Sequence, residues 1–322
     1  MDKFKNIKKK LHGPIFSILT PFKKNEEIDF YNLKKYINFL YDRGAKVFYL
    51  MVYNSRLGLL SEKEIIKLNN FCIKEVKRLS KKNIIICAEP YHTSTQRSIE
   101  LCNYFHKKGA DIVSVIFGEK YYSDDQVFQH FKRINKKVKK FLLLHQQPLE
   151  NGISSNPIVV NYSINLTEKI VNLKNFIAIK EDTKNDNFTK KICKKLSNKI
   201  VIITSGNGKK QWLKATKFGC QSWLSGVSNL NPEIAFDFYK AYQENNMLLI
   251  KNILKYVEDP FFKVSKKFGW HVTIKAFLQL SKIFFQHERQ PLVKLDIKKV
   301  KKTYNEMKSN QKKYFKKKYF HH

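Results

Sequence analysis

The sequence predicts an α/β fold, a (β/α)8 TIM barrel with a C-terminal helical extension, and three observations carry the prediction. Short apolar runs of β type alternate with longer stretches whose apolar residues recur at spacings of three and four. Eight such runs precede Pro232, after which the strand signal stops and helical periodicity continues. No G-x-G-x-x-G follows an early run, and Gly206-Asn207-Gly208 is too short and too late to serve, which sets aside the rival doubly wound sheet.

In chain order the runs are Pro14 to Thr20, Val47 to Tyr53, Asn83 to Ala88, Asp111 to Phe117, Lys140 to His145, Phe176 to Lys180, Ile200 to Thr204 and Gln221 to Val227. Each is apolar on both faces, as strands of a buried parallel sheet are. Between them lie amphipathic segments such as Tyr31 to Asp42, Glu62 to Leu79, Ser94 to Lys108, Ser123 to Val138 and Lys209 to Lys217. Beyond Pro232, the segments Glu233 to Gln243, Met247 to Val257, Val272 to Phe285 and Lys294 to Lys308 read as helices with no strands between them. No Pro- or Gly-rich linker separates the parts, so residues 1–232 (barrel) and 233–322 (helical extension with a basic tail) are expected to pack as one unit.

The chain has 322 residues, of which 43% are hydrophobic and 14% aromatic, ample for a sizeable core. No run of eighteen apolar residues occurs and no apolar stretch follows the charges of the first residues, so a soluble, unexported, cytoplasmic protein without membrane contact is expected. Cys72, Cys87, Cys102, Cys193 and Cys220 are odd in number and never form C-x-x-C, which argues against a disulfide framework or zinc ribbon. The formal charge of +35 comes from 62 Lys+Arg against 27 Asp+Glu. Only six of these cations are arginines, and the lysines are mostly scattered over helix faces. That reads as residue usage over solvated surfaces, with no specific nucleic-acid partner. The stretch from Lys298 to Lys318 is the exception, dense enough to touch an anionic surface.

In such a barrel the reactive residues stand at the C-terminal ends of strands. Strand two ends in Val52-Tyr53-Asn54-Ser55-Arg56, strand three in Cys87-Ala88-Glu89, and strand five in His145-Gln146-Gln147-Pro148. Strand six ends in Ile179-Lys180-Glu181-Asp182 and strand seven in Thr204-Ser205-Gly206. Lys180 closes the apolar run Phe176-Ile177-Ala178-Ile179, and strand alternation puts it on the face of Ala178. If that face is the interior, desolvation disfavours the ammonium form and yields an amine able to attack a ketone as a Schiff-base nucleophile. The competing reading is a strand-end lysine that reaches solvent or pairs with Glu181 or Asp182.

From about Gly13 to Phe285 the sequence resembles the dihydrodipicolinate synthase and N-acetylneuraminate lyase family of class I aldolase-type barrels. The resemblance rests on Gly13-Pro14-Ile15-Phe16-Ser17-Ile18-Leu19-Thr20-Pro21-Phe22, on Leu60-Ser61-Glu62-Lys63-Glu64, and on Lys107-Lys108-Gly109-Ala110-Asp111. Further matches are Tyr121-Tyr122-Ser123 with Gln129-His130-Phe131, Ile179-Lys180-Glu181, and Leu224-Ser225-Gly226-Val227-Ser228-Asn229-Leu230. Their order, spacing and placement carry the assignment. The resemblance implies a lyase in which Lys180 forms a Schiff base with a pyruvate-like 2-keto acid and a C–C bond is made or broken through the enamine, with no cofactor or metal.

It also implies roles for other positions. The family's hydroxyl-bearing glycine loop falls on Val52-Tyr53-Asn54-Ser55-Arg56, where both glycines are lost and a cation replaces a glutamate; Tyr53, Asn54 and Ser55 remain as substrate-binding candidates, with Gly206 and the backbone near Leu224. The family's relay tyrosine falls on His145, a group that can still move protons. Glu150 stands where dihydrodipicolinate synthases carry the arginine for the second substrate, which argues against lysine biosynthesis. Tyr121 and Tyr122 are candidates to reach a neighbouring active site in a homotetramer or dimer, or else they pack under the following helix.

Two other readings use the same strand ends. Glu89, His92, His145, Glu150 and Glu181 could supply oxygen and nitrogen ligands to a hard metal in a hydrolase or aldolase, although no H-x-H or H-E-x-x-H motif occurs and a central lysine would repel the cation. Alternatively, the barrel has lost catalysis and persists as a binding or scaffold protein. His12, His92, His106, His130 and His271 read as surface or capping groups, and Trp212, Trp223 and Trp270 as core.

Overall fold

The structure, a computed structural model, describes residues 3–90, 93–117, 122–146, 149–150, 159–160, 162–183, 185–205, 208–315, 317 and 319. Eight parallel strands close into a barrel: β1 (Gly13–Ser17), β2 (Val47–Tyr49), β3 (Ile84–Ala88), β4 (Ile112–Val115), β5 (Leu142–Gln146), β8 (Phe176–Glu181), β9 (Val201–Thr204) and β10 (Ser222–Ser225). β6 (Leu149–Glu150) and β7 (Val159–Val160) form a separate antiparallel pair after β5. The strands follow one another around the barrel in chain order, with β10 returning to β1. Each of the eight barrel strands coincides with one of the apolar runs, with β1, β5 and β8 extending one residue beyond it.

Helices begin where the sequence supplies caps. Ser61 opens α3 (Glu62–Leu79) and Ser123 opens α5 (Asp124–Lys137), each with a capping box closed by Glu64 or Gln126. Ser94 caps α4 (Thr95–Lys108), which stops at Gly109 in the left-handed conformation, φ 110°. With α2 (Phe30–Asp42), α6 (Ile164–Val171), α7 (Asp186–Leu196) and α8 (Gly208–Thr216) they ring the barrel. The eighth place is taken by α9 (Glu233–Gln243), which lies against β1 from beyond residue 232.

Among the helices not singled out from the sequence, two have a composition that hides them. α1 (Lys3–Lys10) is mostly lysine, yet Phe4, Ile7 and Leu11 enter the interior cluster and close the barrel floor, with Phe4 edge-on to Phe141 at 4.8 Å. α11 (Asp259–Phe268) contains Pro260, a residue that breaks helices except in the first turn, which is where it sits. α10 (Met247–Ile253) leads into α11 through a π-helical stretch, Leu254–Glu258. Gly269, at φ 92° and ψ 135°, then reverses the chain into α12 (Trp270–Leu280), and α13 (Lys298–Tyr314) ends the extension. Among the described residues no helix is long and apolar enough to cross a membrane. The five cysteines are buried and unpaired.

Buried ion pairs tie extension to barrel. Lys209 on α8 donates to Glu258 at 2.5 Å and to Ser228 at 2.8 Å. Arg56, at the end of the strand-two loop, donates through Nε to Glu288 Oε2 at 3.1 Å, and Lys275 on α12 donates to the same oxygen at 2.9 Å. All three side chains are at most 2% exposed. Burial lowers Lys275 to about 7, with Glu288 pulling it back up and Arg56 pushing it further down.

One carboxylate thus serves two buried cations. Glu288→Gln, which leaves both cations uncompensated, is expected to cost about 3–5 kcal/mol in denaturant unfolding, whereas Lys275→Met is expected to be neutral or stabilising. Because Lys275 titrates lower in the folded than in the unfolded chain, unfolding takes up a proton between about pH 7 and 10 and stability rises with pH there. That increment should vanish in Lys275→Met.

Candidate active site

Interior residues of a (β/α)8 barrel stack in layers of four drawn from alternate strands. With the observed registers, and one residue of stagger per strand, Tyr49, Ser114, Lys180 and Leu224 form one layer. Ser17, Ala88, His145 and Ser205 form the next layer towards the C-terminal mouth. Below them the interior is aliphatic, including Ile15, Val47, Ile86, Leu143, Ala178 and Ile203. Lys180 is therefore the first charge met above an apolar floor, on the face of Ala178 as alternation requires.

Lys180 has no exposed surface. Its Nζ lies 2.9 Å from His145 Nε2 and donates to Asp182 Oδ2 at 2.7 Å. Beside an ammonium, which has no lone pair, Nε2 accepts and the neutral ring carries its proton on Nδ1, an atom buried with no hydrogen-bond partner among the described residues. Burial, reinforced by the Lys180 charge, holds His145 well below the usual histidine range. In the same layer as Lys180, Tyr49 Oη and Ser114 Oγ are 2.7 Å apart, and burial raises the phenol well above its ordinary value.

The strand-two loop is folded onto β1. Ser55 donates to Ile18 O at 2.5 Å and accepts from Met51 N at 3.0 Å, while Thr20 Oγ1 donates to Ser55 O at 2.7 Å. The one proton of Ser55 is spent on backbone, so it holds the loop and has none to offer a carboxylate. Asn54 donates to Ser17 Oγ at 2.8 Å. Tyr53 is 37% exposed and stacks on His271 at 6.0 Å. Next in the chain, Trp270 packs on Gly226 just past the end of β10: a Cβ there would lie 2.3 Å from the indole, so only glycine admits that ring.

Other candidates lie elsewhere. Glu181 points outward and accepts from Thr183 and from Thr189 Oγ1 at 2.5 Å. Glu89 is buried, pushed up to about 8 by desolvation, and accepts from Ile116 N at 3.3 Å. Among the described residues no cluster of three metal-ligating side chains forms. Tyr122 is half-exposed and edge-on to Phe117 at 5.4 Å. Tyr121, Gly206 and His92 lie outside the described residues, as does the side chain of Glu150.

Two histidine readings need correction. His106 and His130 are buried: His106 Nδ1 pairs with Ala110 O at 3.1 Å and His130 Nδ1 with Thr95 Oγ1 at 2.9 Å. Helical periodicity puts both on inward faces, and only packing against neighbouring elements removes them from water. Trp212 and Trp223 are core, as expected, while Trp270 is only partly buried. Ser17, Asp182 and Asn229 were missed as site residues. Asp182, next but one to Lys180, was legible as a possible partner, whereas Ser17 and Asn229 needed the barrel to close.

Fold and strand-end residues define a (β/α)8 barrel of the aldolase and lyase class. Residues 10–310 match the Dihydrodipicolinate synthetase family, and the chain belongs to that family. It is 22% identical over 260 residues to the 4-hydroxy-tetrahydrodipicolinate synthase of Psychrobacter sp. (strain PRwf-1), covering 80% of this chain and 81% of that one. The dihydrodipicolinate synthase of Oceanobacillus iheyensis superposes with a TM-score of 0.82 at 17% identity, over 97% of this chain and 100% of that one. A prophage protein of the same family from Escherichia coli, solved in complex with pyruvate, gives 0.78 at 15% identity over 93% and 98%. At these identities the structural likenesses carry the fold alone.

Since burial and the Lys180 charge hold His145 low, its ring should stay neutral as the pH falls through the range in which an exposed histidine takes up its proton. Histidine NMR, with the resonance assigned by its loss in His145→Ala, should show no titration there. Gly226→Ala should displace Trp270 and cost about 1–3 kcal/mol of stability, read by unfolding and indole fluorescence.

Proposed function

We propose that the protein is a lyase of the Schiff-base type, in which Lys180 condenses with a pyruvate-like 2-keto acid and a C–C bond is then made or broken through the enamine. The observation that carries this reading is the buried contact between Lys180 Nζ and His145 Nε2 at 2.9 Å. The membership of the family and the pyruvate held by its prophage member support it.

The steps balance within these groups. His145 Nε2 takes one proton from the Lys180 ammonium, and the neutral amine attacks the keto carbon. The imidazolium returns that proton to the carbinolamine oxygen, and His145 then carries a second proton from the carbinolamine nitrogen to the same oxygen, which leaves as water as the C=N bond forms, the imine nitrogen keeping one proton. Asp182, 2.7 Å from Nζ, offsets the positive charge that persists on the imine nitrogen. Loss of a proton, or of a C–C bond, next to the imine then gives the enamine. The altered strand-two loop and Glu150 favour a reaction other than that of lysine biosynthesis.

A second reading, a binding or scaffold barrel without turnover, is favoured by one observation: Lys180 and His145 have no exposed surface. Borohydride trapping with pyruvate and related 2-keto acids separates the two. The lyase reading expects a reduced adduct on the peptide carrying Lys180, absent from Lys180→Arg; a folded protein that forms no adduct with any acid of the panel overturns it. His145→Ala should slow trapping by about 10²–10⁴-fold, the usual worth of a positioned acid–base group. We place the protein in the cytoplasm as a homotetramer or dimer, in which half-exposed Tyr122 would be free to face a neighbouring subunit. Light scattering that returned a monomer would remove Tyr122 from the site.

A further inference from the structure

Ser17 ends β1 with no exposed surface, in the interior layer that also holds Ala88, His145 and Ser205. Three of those four side chains are small, and Lys180 reaches the fourth, His145, from the layer below. The side of this layer lined by the small residues Ser17, Ala88 and Ser205 is thus where a group bonded to Nζ meets the least side-chain bulk.

The Ser17 hydroxyl is oriented by its neighbours. Its oxygen accepts from Asn54 Nδ2 at 2.8 Å and from Asn229 Nδ2 at 3.1 Å. Asn229 Nδ2 also donates to the Ser17 backbone oxygen at 3.3 Å, and because that oxygen only accepts, the amide nitrogen and not its oxygen must face Ser17. A hydroxyl oxygen has two lone pairs, and both are occupied. The O–H is therefore aimed at a third group, and among the described residues Ser17 makes no hydrogen bond as a donor. Asn229 Oδ1 is likewise buried and unpaired, available to a water or a substrate hydroxyl.

Electrostatics favours the same corner. Asp182 stands 2.7 Å from Nζ on the β8 side, so an anionic group on a substrate attached there is repelled towards the opposite part of the rim, and β1 lies three strands away in the closed order.

We infer that Ser17 is a substrate-binding residue, whose hydroxyl, held by Asn54 and Asn229, donates to the carboxylate of a 2-keto acid joined to Lys180. The inference rests on the keto-acid reading above and moves carboxylate recognition from Ser55 to β1. Asn54 then acts through Ser17 as a positioning residue.

The test is reductive trapping of the full chain at Lys180 across a pyruvate titration, with the neutral ketone hydroxyacetone alongside. A hydrogen bond to a charged group is worth about a tenfold or larger factor, so Ser17→Ala should raise the half-saturating pyruvate concentration at least about tenfold while leaving hydroxyacetone trapping unchanged. An unchanged pyruvate dependence, or equal loss with both carbonyls, overturns the assignment. If the alanine variant does not fold, Ser17→Cys, which keeps a side chain of similar shape but only a weak donor, replaces it with the same expectations. If the wild type forms no adduct at all, the imine reading falls by itself. Ser17 is then judged by the rise in melting temperature that pyruvate gives: a rise lost in Ser17→Ala upholds the assignment, and an equal rise or none in the wild type overturns it.

Discussion

A lysine amine without exposed surface inside a closed barrel sets the terms for the rest of the site. The interior below Lys180 is aliphatic, so its charge can be compensated only from above, and His145 and Asp182 provide the acceptors at 2.9 and 2.7 Å. Beside an ammonium the histidine accepts through Nε2, which in the proposed reaction makes it the base that takes the ammonium's proton. The carboxylate beside it supplies the counter-charge and biases where a second anion can settle. Charge balance, and with it the proposed proton transfer and substrate orientation, thus rests on one buried group and the partners its burial demands.

The C-terminal extension completes that environment. Glu288 joins the strand-two loop to α12 through Arg56 and Lys275, and Arg289 reaches the Glu64 carboxylate together with the backbone oxygens of Leu59 and Glu26. These contacts hold the loop whose Asn54 orients Ser17, and they set Trp270 over Gly226 and His271 against Tyr53. Ion pairs this deeply buried contribute little net stability compared with apolar packing, but they define one loop conformation. Few lysines of the +35 chain share this role: Lys180, Lys209 and Lys275 are buried and paired, whereas most of the others lie on solvated faces.

Much of this was legible in the sequence, for reasons that can be named. Strands buried on both faces leave continuous apolar runs, and alternation along Phe176-Ile177-Ala178-Ile179-Lys180 sends the lysine inward once the sheet is closed. Caps such as Ser61 and Ser123 mark helix starts because their hydroxyls serve local backbone donors. Where a side chain's fate depended on a distant element, local pattern was silent. Ser55 reads as a free hydroxyl until Ile18 O is found beside it, His130 reads as a helix-face group until Thr95 and Phe117 close over it, and Pro260 reads as a break until the π-helical turn before it sets it in a first turn.

By itself the sequence determined the barrel, the family and the lysine at the end of the sixth barrel strand, since these rest on periodicity and on residues adjacent in the chain. Only the tertiary structure decided which hydroxyl remained free to donate. Ser17, Asn54 and Asn229 come from three separate segments, and a hydroxyl's remaining capacity depends on which donors fill its lone pairs, a fact of packing that no spacing along the chain records.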